Sequence, residues 1–370
     1  MTTKFPIAST LFALFLFSPA LALFGNTSTK AAEIYSAACA SCHGSDGRGA
    51  PISQVGFDLP LPDFTDCNFA VREPDSDWNA VAHAGGPARA FSRLMPAFGD
   101  ALGPEELQLA TAHVRTFCTD NAWPPGEFNL PRMLVIEKAF PEDEAVFESA
   151  VAAQGDGAVS NAIVYEKRFG ARNQFELSVP FGRQERATAD GGGWQGGIGD
   201  IAAGVKRTLF FSRVTGSIFS VAGEVLFPTG DREKGFGRGT TIFEPFLSFG
   251  QILPSEFFLQ SQAGAAIPVD TQRADNRGFF RFGTGRTFTQ GQFGRSWSPM
   301  IELLGARDLV AGRTFQWDLV PQIQVTLSRR QHIMMNVGVR TPLTDARSRD
   351  TQVLFYFLWD WFDGGLFTGW

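Results

Sequence analysis

Charge is scarce in this sequence. Asp, Glu, Lys and Arg make up 19% of it and the net charge is −6, where ordinary globular chains carry roughly 25% charge. No basic footprint is present, which argues against a nucleic-acid partner. Tyrosine is rarer still, with 3 residues against 37 Phe and 40 Gly, so something apolar, glycine-rich and aromatic occupies much of the chain. Cysteine is limited to four residues. Cys67 and Cys118 stand alone, so no second Cys or His pair at short spacing completes a four-ligand zinc site. The N-terminal apolar run, Leu11 to Phe17, is short for a membrane-spanning helix. Lys4 precedes it and Ser18-Pro19-Ala20-Leu21-Ala22 follows, which predicts a secretory signal peptide over 1–22, cleaved after Ala22. An uncleaved anchor is the rival reading, and either one exports the chain.

What is present centres on Cys39-Ala40-Ser41-Cys42-His43-Gly44. A C-x-x-C-H run is the attachment signature of a c-type haem. Two thiols three positions apart can form two thioether bonds along one porphyrin edge, and the adjacent imidazole then falls under the iron. A disulfide or half a zinc site is the bland alternative. A helix is expected over 29–40, with Ile34, Tyr35 and Ala38 as its apolar positions. A tight turn follows over 45–49, then an irregular proline-rich stretch over 51–66 and a second helix over 75–83 around Trp78. Leu94-Met95-Pro96-Ala97-Phe98-Gly99 lies on a loop ahead of another helix. That helix starts at Pro104-Glu105-Glu106, with proline and acids in its first turn, and its stripe is Leu107, Ala110, Val114 and Phe117.

On these residues the stretch 31–120 resembles a class I cytochrome c: N-terminal helix, CxxCHG, a wrapping loop, Met-Pro-x-Phe-Gly and a C-terminal helix. The resemblance implies an all-α domain with one covalently attached haem c on Cys39 and Cys42, His43 as proximal ligand and Met95 as distal ligand. His83, in Ala82-His83-Ala84-Gly85-Gly86, is the rival distal ligand, and His113 reads as a helix-surface or packing residue. His43 with Met95 gives six-coordinate, low-spin iron with no open position, which favours electron transfer over catalysis; no catalytic residue is assigned. Phe91, Phe98 and Trp78 are expected to wall the haem. The family also places a proline carbonyl against the proximal imidazole, and Pro51, Pro60 and Pro62 all compete for that role. In an exported domain the leftover Cys67 and Cys118 most simply pair as a disulfide, the alternative being two free buried thiols.

A chain of 370 residues needs a second unit. Residues 120–127, rich in proline and glycine, read as a boundary, with a linker over 121–132 and a second domain over 133–370. There the period changes from 3.6 to 2. Phe175, Leu177, Val179 and Phe181 alternate with Gln174, Glu176 and Ser178. Val205 and Leu209 alternate with Gly204, Lys206 and Thr208, and Ile333, Met335, Val337 and Val339 with Asn336, Gly338 and Arg340. The last run sets Val353, Phe355, Phe357, Trp359 and Trp361 on one face. Turn-rich breaks fall over 190–193, 228–239, 270–277 and 344–350. The segments run roughly 9–12 residues, a length that suits membrane-spanning strands, and the expected fold is an antiparallel β-barrel of about 12 strands. A soluble sandwich or lipocalin-like barrel is the bland alternative. The polar, glycine-rich alternate face, aromatics near strand ends and the closing Phe367-Thr368-Gly369-Trp370 favour an outer-membrane barrel with a narrow wet lumen.

This region resembles predicted outer-membrane barrels linked to aromatic-compound uptake, through Gly199-Asp200-Ile201, Gly204-Val205-Lys206 and the run from Gly223 to Asp231. The whole layout is similar to cytochrome–porin fusions of bacteria that oxidise iron outside the cell, with a smaller barrel. The expected role is electron transfer at the outer membrane, with the haem domain at the periplasmic mouth because an even strand number returns both barrel ends there. Its partners would be periplasmic redox proteins or an extracellular or small-molecule donor. The rivals are a solute channel with a coupled cytochrome, a soluble periplasmic cytochrome with a β partner-binding domain, and a peroxidase-like enzyme.

Overall fold

The computed structural model describes residues 24–56, 61–154, 157–188 and 191–360. The expected signal peptide, Pro60 and the closing aromatic run lie outside those residues. The N-terminal part holds α1 (Phe24–Ala38), α2 (Ala40–His43), α3 (Ile52–Val55), α4 (Cys67–Ala70), α5 (Asp75–Ala84) and α6 (Pro104–Arg115), with a 3₁₀ turn at Gly86–Arg89. Glu106 in the first turn of α6 accepts a hydrogen bond from the Gly103 amide at 3.1 Å, so the acidic start caps the helix as its sequence implies. Tyr35 from α1, Phe64 and Val114 from α6 form the buried core of this domain. Cys67 and Cys118 are joined by a disulfide, which ties α4 to the chain just past α6.

From residue 144 onward the described chain is β-structure. The first seven strands are β1 (Glu144–Ala152), β2 (Ala158–Phe169), β3 (Asn173–Thr188), β4 (Gly191–Ile198), β5 (Ala202–Ser212), β6 (Ser217–Leu226) and β7 (Ile242–Ile252). The others are β8 (Phe257–Pro268), β9 (Arg277–Arg286), β10 (Phe288–Thr289), β11 (Ser296–Asp308), β12 (Gln316–Thr326), β13 (Ile333–Pro342) and β14 (Gln352–Asp360). β1 pairs with β14 and β9 with β11, all antiparallel, so the sheet closes on itself. β4 pairs with β3 and β10 with β11, both standing off the ring, which leaves a closed barrel of twelve strands.

The alternation read from sequence sets the two faces, and their polarity is inverted relative to a soluble barrel. On β5, Lys206 and Thr208 are buried while Val205 and Leu209 are exposed, at 59% and 48%. Gln174, Ser220, Gln260, Gln262, Glu302, Gln322, Gln324 and Asn336 point inward and are buried. Ile163, Phe175, Phe243, Phe280, Ile301, Val337 and Phe357 lie exposed on strands spread around the ring. A soluble monomer rarely exposes apolar area on this scale, whereas a barrel solvated by lipid has to. No helix among the described residues is long and apolar enough to cross a membrane.

The lumen is occupied by the chain's own residues. The 3₁₀ turn Gly126–Phe128 and the chain that follows it to residue 143 run inside the ring, before β1 begins. Leu130, Met133 and Ile136 pack with Phe258 and Met300 from the barrel wall, and Phe128, Ala139 and Phe140 pack with Ile218. Residues 126–132 of the expected linker and the first residues of the expected β domain therefore form one internal plug. Its sequence explains why it forms no strand: Pro131 and Pro141 interrupt it, and proline cannot donate to a ladder.

An extended segment inside a barrel needs partners for its own backbone, and inward side chains supply them. Gln322 accepts from the Leu134 amide at 3.0 Å, and one Glu302 oxygen accepts from Val135 and Ile136 at 3.0 and 2.7 Å. Gln260 donates to the Pro131 carbonyl at 2.8 Å, Tyr356 to that of Arg132 at 2.7 Å, and Lys206 to that of Lys138 at 3.0 Å. The plug's cations are met as well. Arg132 lies 2.6 Å from both Glu144 and Glu166 and 3.1 Å from Glu148, and Lys138 lies 2.5 Å from Glu142.

Candidate haem site

α1 and α2 deliver the CxxCH motif. Cys39 and Cys42 are free thiols, half-buried and not joined to each other, so both are available for thioether bonds. The chain then turns tightly: the Gly49 amide donates to His43 O at 2.9 Å, the Ala50 amide to Cys42 O at 2.7 Å, and the Tyr35 hydroxyl to Gly44 O at 2.7 Å. Gly44 sits at φ 77°, a conformation that glycine adopts without strain. These bonds fix the His43 ring, which stacks on Phe64 at 4.9 Å. Burial pushes the His43 imidazole below its ordinary pKa, which favours the neutral, metal-ligating form. Its Nδ1 is buried without a hydrogen-bond partner, so none of the described prolines supplies the carbonyl that the resemblance implies.

Met95 is placed by a different device. The loop folds back on the end of α5: the Gly86 amide donates to Met95 O at 3.1 Å, Phe98 N to Ala82 O at 3.0 Å, and Gly99 N to His83 O at 2.9 Å. A Cβ on Gly86 would come within 2.1 Å of Ser92 O, so only glycine permits this approach. Met95 and His83 thus share one small region. His83 leans on Gly99 and on Phe293 of the barrel, its Nδ1 buried and unpartnered. His113 packs on Tyr35 and Phe117, at 5.0 and 5.2 Å. Of the expected apolar wall, Trp78 packs on Phe64 at 5.3 Å, one ring away from His43. Phe91 instead lies under Arg330 of the barrel, 4.6 Å from its guanidinium carbon.

Two uncrosslinked thiols, an adjacent neutral imidazole with an orphaned ring nitrogen, and a thioether on a separately pinned loop make up a donor set that fits a c-type haem. Residues 26–114 match the family described as "Cytochrome C oxidase, cbb3-type, subunit III". They form a c-type cytochrome domain. No curated protein matches the chain. Among solved structures the barrel is similar to the KdgM porin, at 8% identity over 59% of this chain and 98% of that one, with a TM-score of 0.40. It is also similar to the COG4313 outer membrane channel from Pseudomonas putida F1, at 10% identity over 58% and 93% and a TM-score of 0.40, and to the NanC porin, at 6%, 58% and 98% with 0.41.

The cytochrome domain is seated on the barrel mouth where β1 begins and β14 ends. Arg72 forms a buried ion pair with Asp143, at the exit of the plug. Glu73 meets His332 at 2.8 Å, and His332 meets Asp360 at 3.4 Å. Arg89 bonds Asp77 at 2.7 Å and donates to the Phe293 carbonyl at 2.6 Å. Arg168 lies over Trp123 at 4.7 Å. A cavity of about 810 Å³ remains between the two bodies, lined by Asp77, His83, Arg89, Glu256 and His332 among others. Asp77 is pushed up to about 6, first by burial and then by the Glu73 charge. The plug and this dock were not legible as motifs; the signal present was a pair of prolines around a non-alternating apolar run.

Proposed function

We propose that the chain is an electron-transfer protein of the outer membrane, a monohaem c-type cytochrome carried on a sealed barrel. Cys39 and Cys42 would hold the haem covalently, His43 would be the proximal ligand and Met95 the distal one. When bound, the haem supplies one-electron chemistry at an iron whose positions are all filled. The protein's part is to hold the imidazole against Phe64, keep the Met95 loop pinned to α5, and seat the whole domain on the barrel. The observation that carries this reading is an uncrosslinked CxxCH motif with a partnerless His43 Nδ1, in the same cytochrome domain as a Met-Pro loop bonded back to α5.

The plug argues against the rival reading of a solute channel, because its backbone is bonded by the wall it crosses. The apolar outer face argues against a soluble periplasmic protein. Turns at the docked end are as short as 170–172 and 253–256, while the far end has a connection over 227–241. Short periplasmic turns and longer external loops are the usual arrangement, which supports a haem domain on the periplasmic side, exchanging electrons with periplasmic carriers. The test is fractionation of producing cells, with haem staining of heated and unheated gel samples. A haem-positive outer-membrane band that shifts on heating is expected, with Met95→Ala keeping the stain but losing the methionine-ligated spectrum. A haem-positive band in the soluble periplasm would overturn the membrane reading.

A further inference from the structure

The loop that carries Met95 has little packing of its own. From Arg93 to Ala97 every side chain except Met95 is exposed, so beyond its backbone bonds to the end of α5 the loop is steadied by its two flanks. Both flanks are gripped by turns of the barrel mouth. On one side Phe91 lies under the Arg330 guanidinium, 4.6 Å from ring to cation, and Arg330 also donates to the Ala90 carbonyl at 3.3 Å. Arg330 belongs to the turn between β12 and β13. On the other side Phe293, from the turn between β10 and β11, packs on His83 at 5.0 Å. The His83 carbonyl in turn receives the Gly99 amide that ends the loop. Between the two flanks, buried Arg89 ties α5 through Asp77 to the Phe293 carbonyl.

We propose that Arg330 and Phe293 of the barrel are positioning residues for the distal haem ligand, acting with Arg89. This rests on the reading of Met95 as that ligand. The barrel mouth is then a part of the haem site. It holds the loop in the one conformation that presents Met95, and the strength of distal ligation depends on a domain that contributes no ligand. A free-standing cytochrome would have to supply this packing from its own chain; here the sequence 93–97 does not.

The test uses the full-length, haem-loaded protein in detergent, with Phe293→Ala and Arg330→Ala combined so that the cytochrome domain's sequence is untouched. Two readouts report ligation: the ferric methionine-to-iron charge-transfer absorption, and the affinity for added imidazole, which competes for the distal position. The haem stain and the heat shift of the barrel should persist, the absorption should weaken, and imidazole affinity should rise on the order of tenfold, the loss of one cation–π contact and its hydrogen bond. An unchanged absorption and affinity would overturn the proposal. If the double variant does not assemble, Arg330→Lys keeps the charge but loses the planar stacking on Phe91. A several-fold rise there supports the grip, and no rise overturns it. Met95→Ala is measured alongside: an unchanged spectrum in that variant refutes Met95 as the ligand, a failure distinct from that of the grip.

Discussion

The two halves of this molecule bury opposite kinds of residue. The cytochrome domain's own core is apolar, built on Tyr35, Phe64 and Val114, and its buried Arg72 and Arg89 lie at the dock against the barrel. The barrel hides glutamines, glutamates and Arg132 and turns phenylalanine and valine outward. Burial of apolar area stabilises the first. In the second that area meets lipid, and the interior is held by hydrogen bonds and ion pairs instead. The plug is the point where the two rules meet, since its Leu130, Met133 and Ile136 bury apolar surface while its backbone is bonded by inward polar side chains. One consequence is that the same substitution should have opposite effects in the two halves.

The largest effect should come from Arg132→Leu. It would remove the cation that bridges Glu144, Glu166 and Glu148 and leave Glu144 only the longer contact to Lys138 at 3.5 Å, and removing one partner of such a network costs about 3–5 kcal/mol. In an inward-apolar soluble fold the same change would be mild or stabilising. The expected outcome is a barrel whose heat shift occurs at a clearly lower temperature, together with measurable single-channel conductance where the parent protein gives none. A variant that is as heat-resistant and as closed as the parent would show that the plug is not held by this network.

The cytochrome half has a different staple. Cys67 and Cys118 close a loop with a sequence separation of 51, and a cross-link of that span is worth about 4 kcal/mol in the chain-entropy account. The Cys67→Ser, Cys118→Ser variant should therefore lower the unfolding temperature seen by haem absorbance and leave the barrel's gel shift where it was. If both transitions moved together, the two domains would be a single cooperative unit and the contrast between them would fail.

Much of this was open to reading in the sequence, for local reasons. CxxCH, the proline-and-acid start of α6 and Met-Pro-x-Phe-Gly each encode their structure within a few residues. Period-2 alternation placed Val205 against Lys206 on opposite faces because a strand turns each successive side chain over. The plug was not readable in the same way. Residues 131–143 have no helix or strand period; what they are is decided by Gln322, Glu302 and Gln260, more than a hundred residues away. The dock is equally non-local, since nothing near Arg89 signals that its partner is the carbonyl of Phe293. The contact at Phe91 is non-local too: Arg330 reaches it from the barrel.

The smallest effect is expected at the seam, from Asp77. Its carboxyl is pushed up to about 6 by burial and by Glu73, against the pull of Arg89 and His332. A carboxyl with a raised folded-state pKa takes up a proton on folding between its unfolded value near 3.8 and about 6. Stability from this group therefore rises as pH falls from about 6 to about 4, is level below that, and is at its lowest above about 6. The swing is at most about 3 kcal/mol. Asp77→Asn removes the titration and also the ion pair with Arg89, so the comparison to make is of slopes. The unfolding temperature of the cytochrome domain, followed by haem absorbance from pH 4 to 7, should change less steeply in Asp77→Asn than in the parent. Burial also raises Glu127, but both proteins share that group, so it cancels in the difference. Parallel curves would mean that Asp77 is charged throughout, held by Arg89, and that the seam is a fixed joint between the two halves with no pH response.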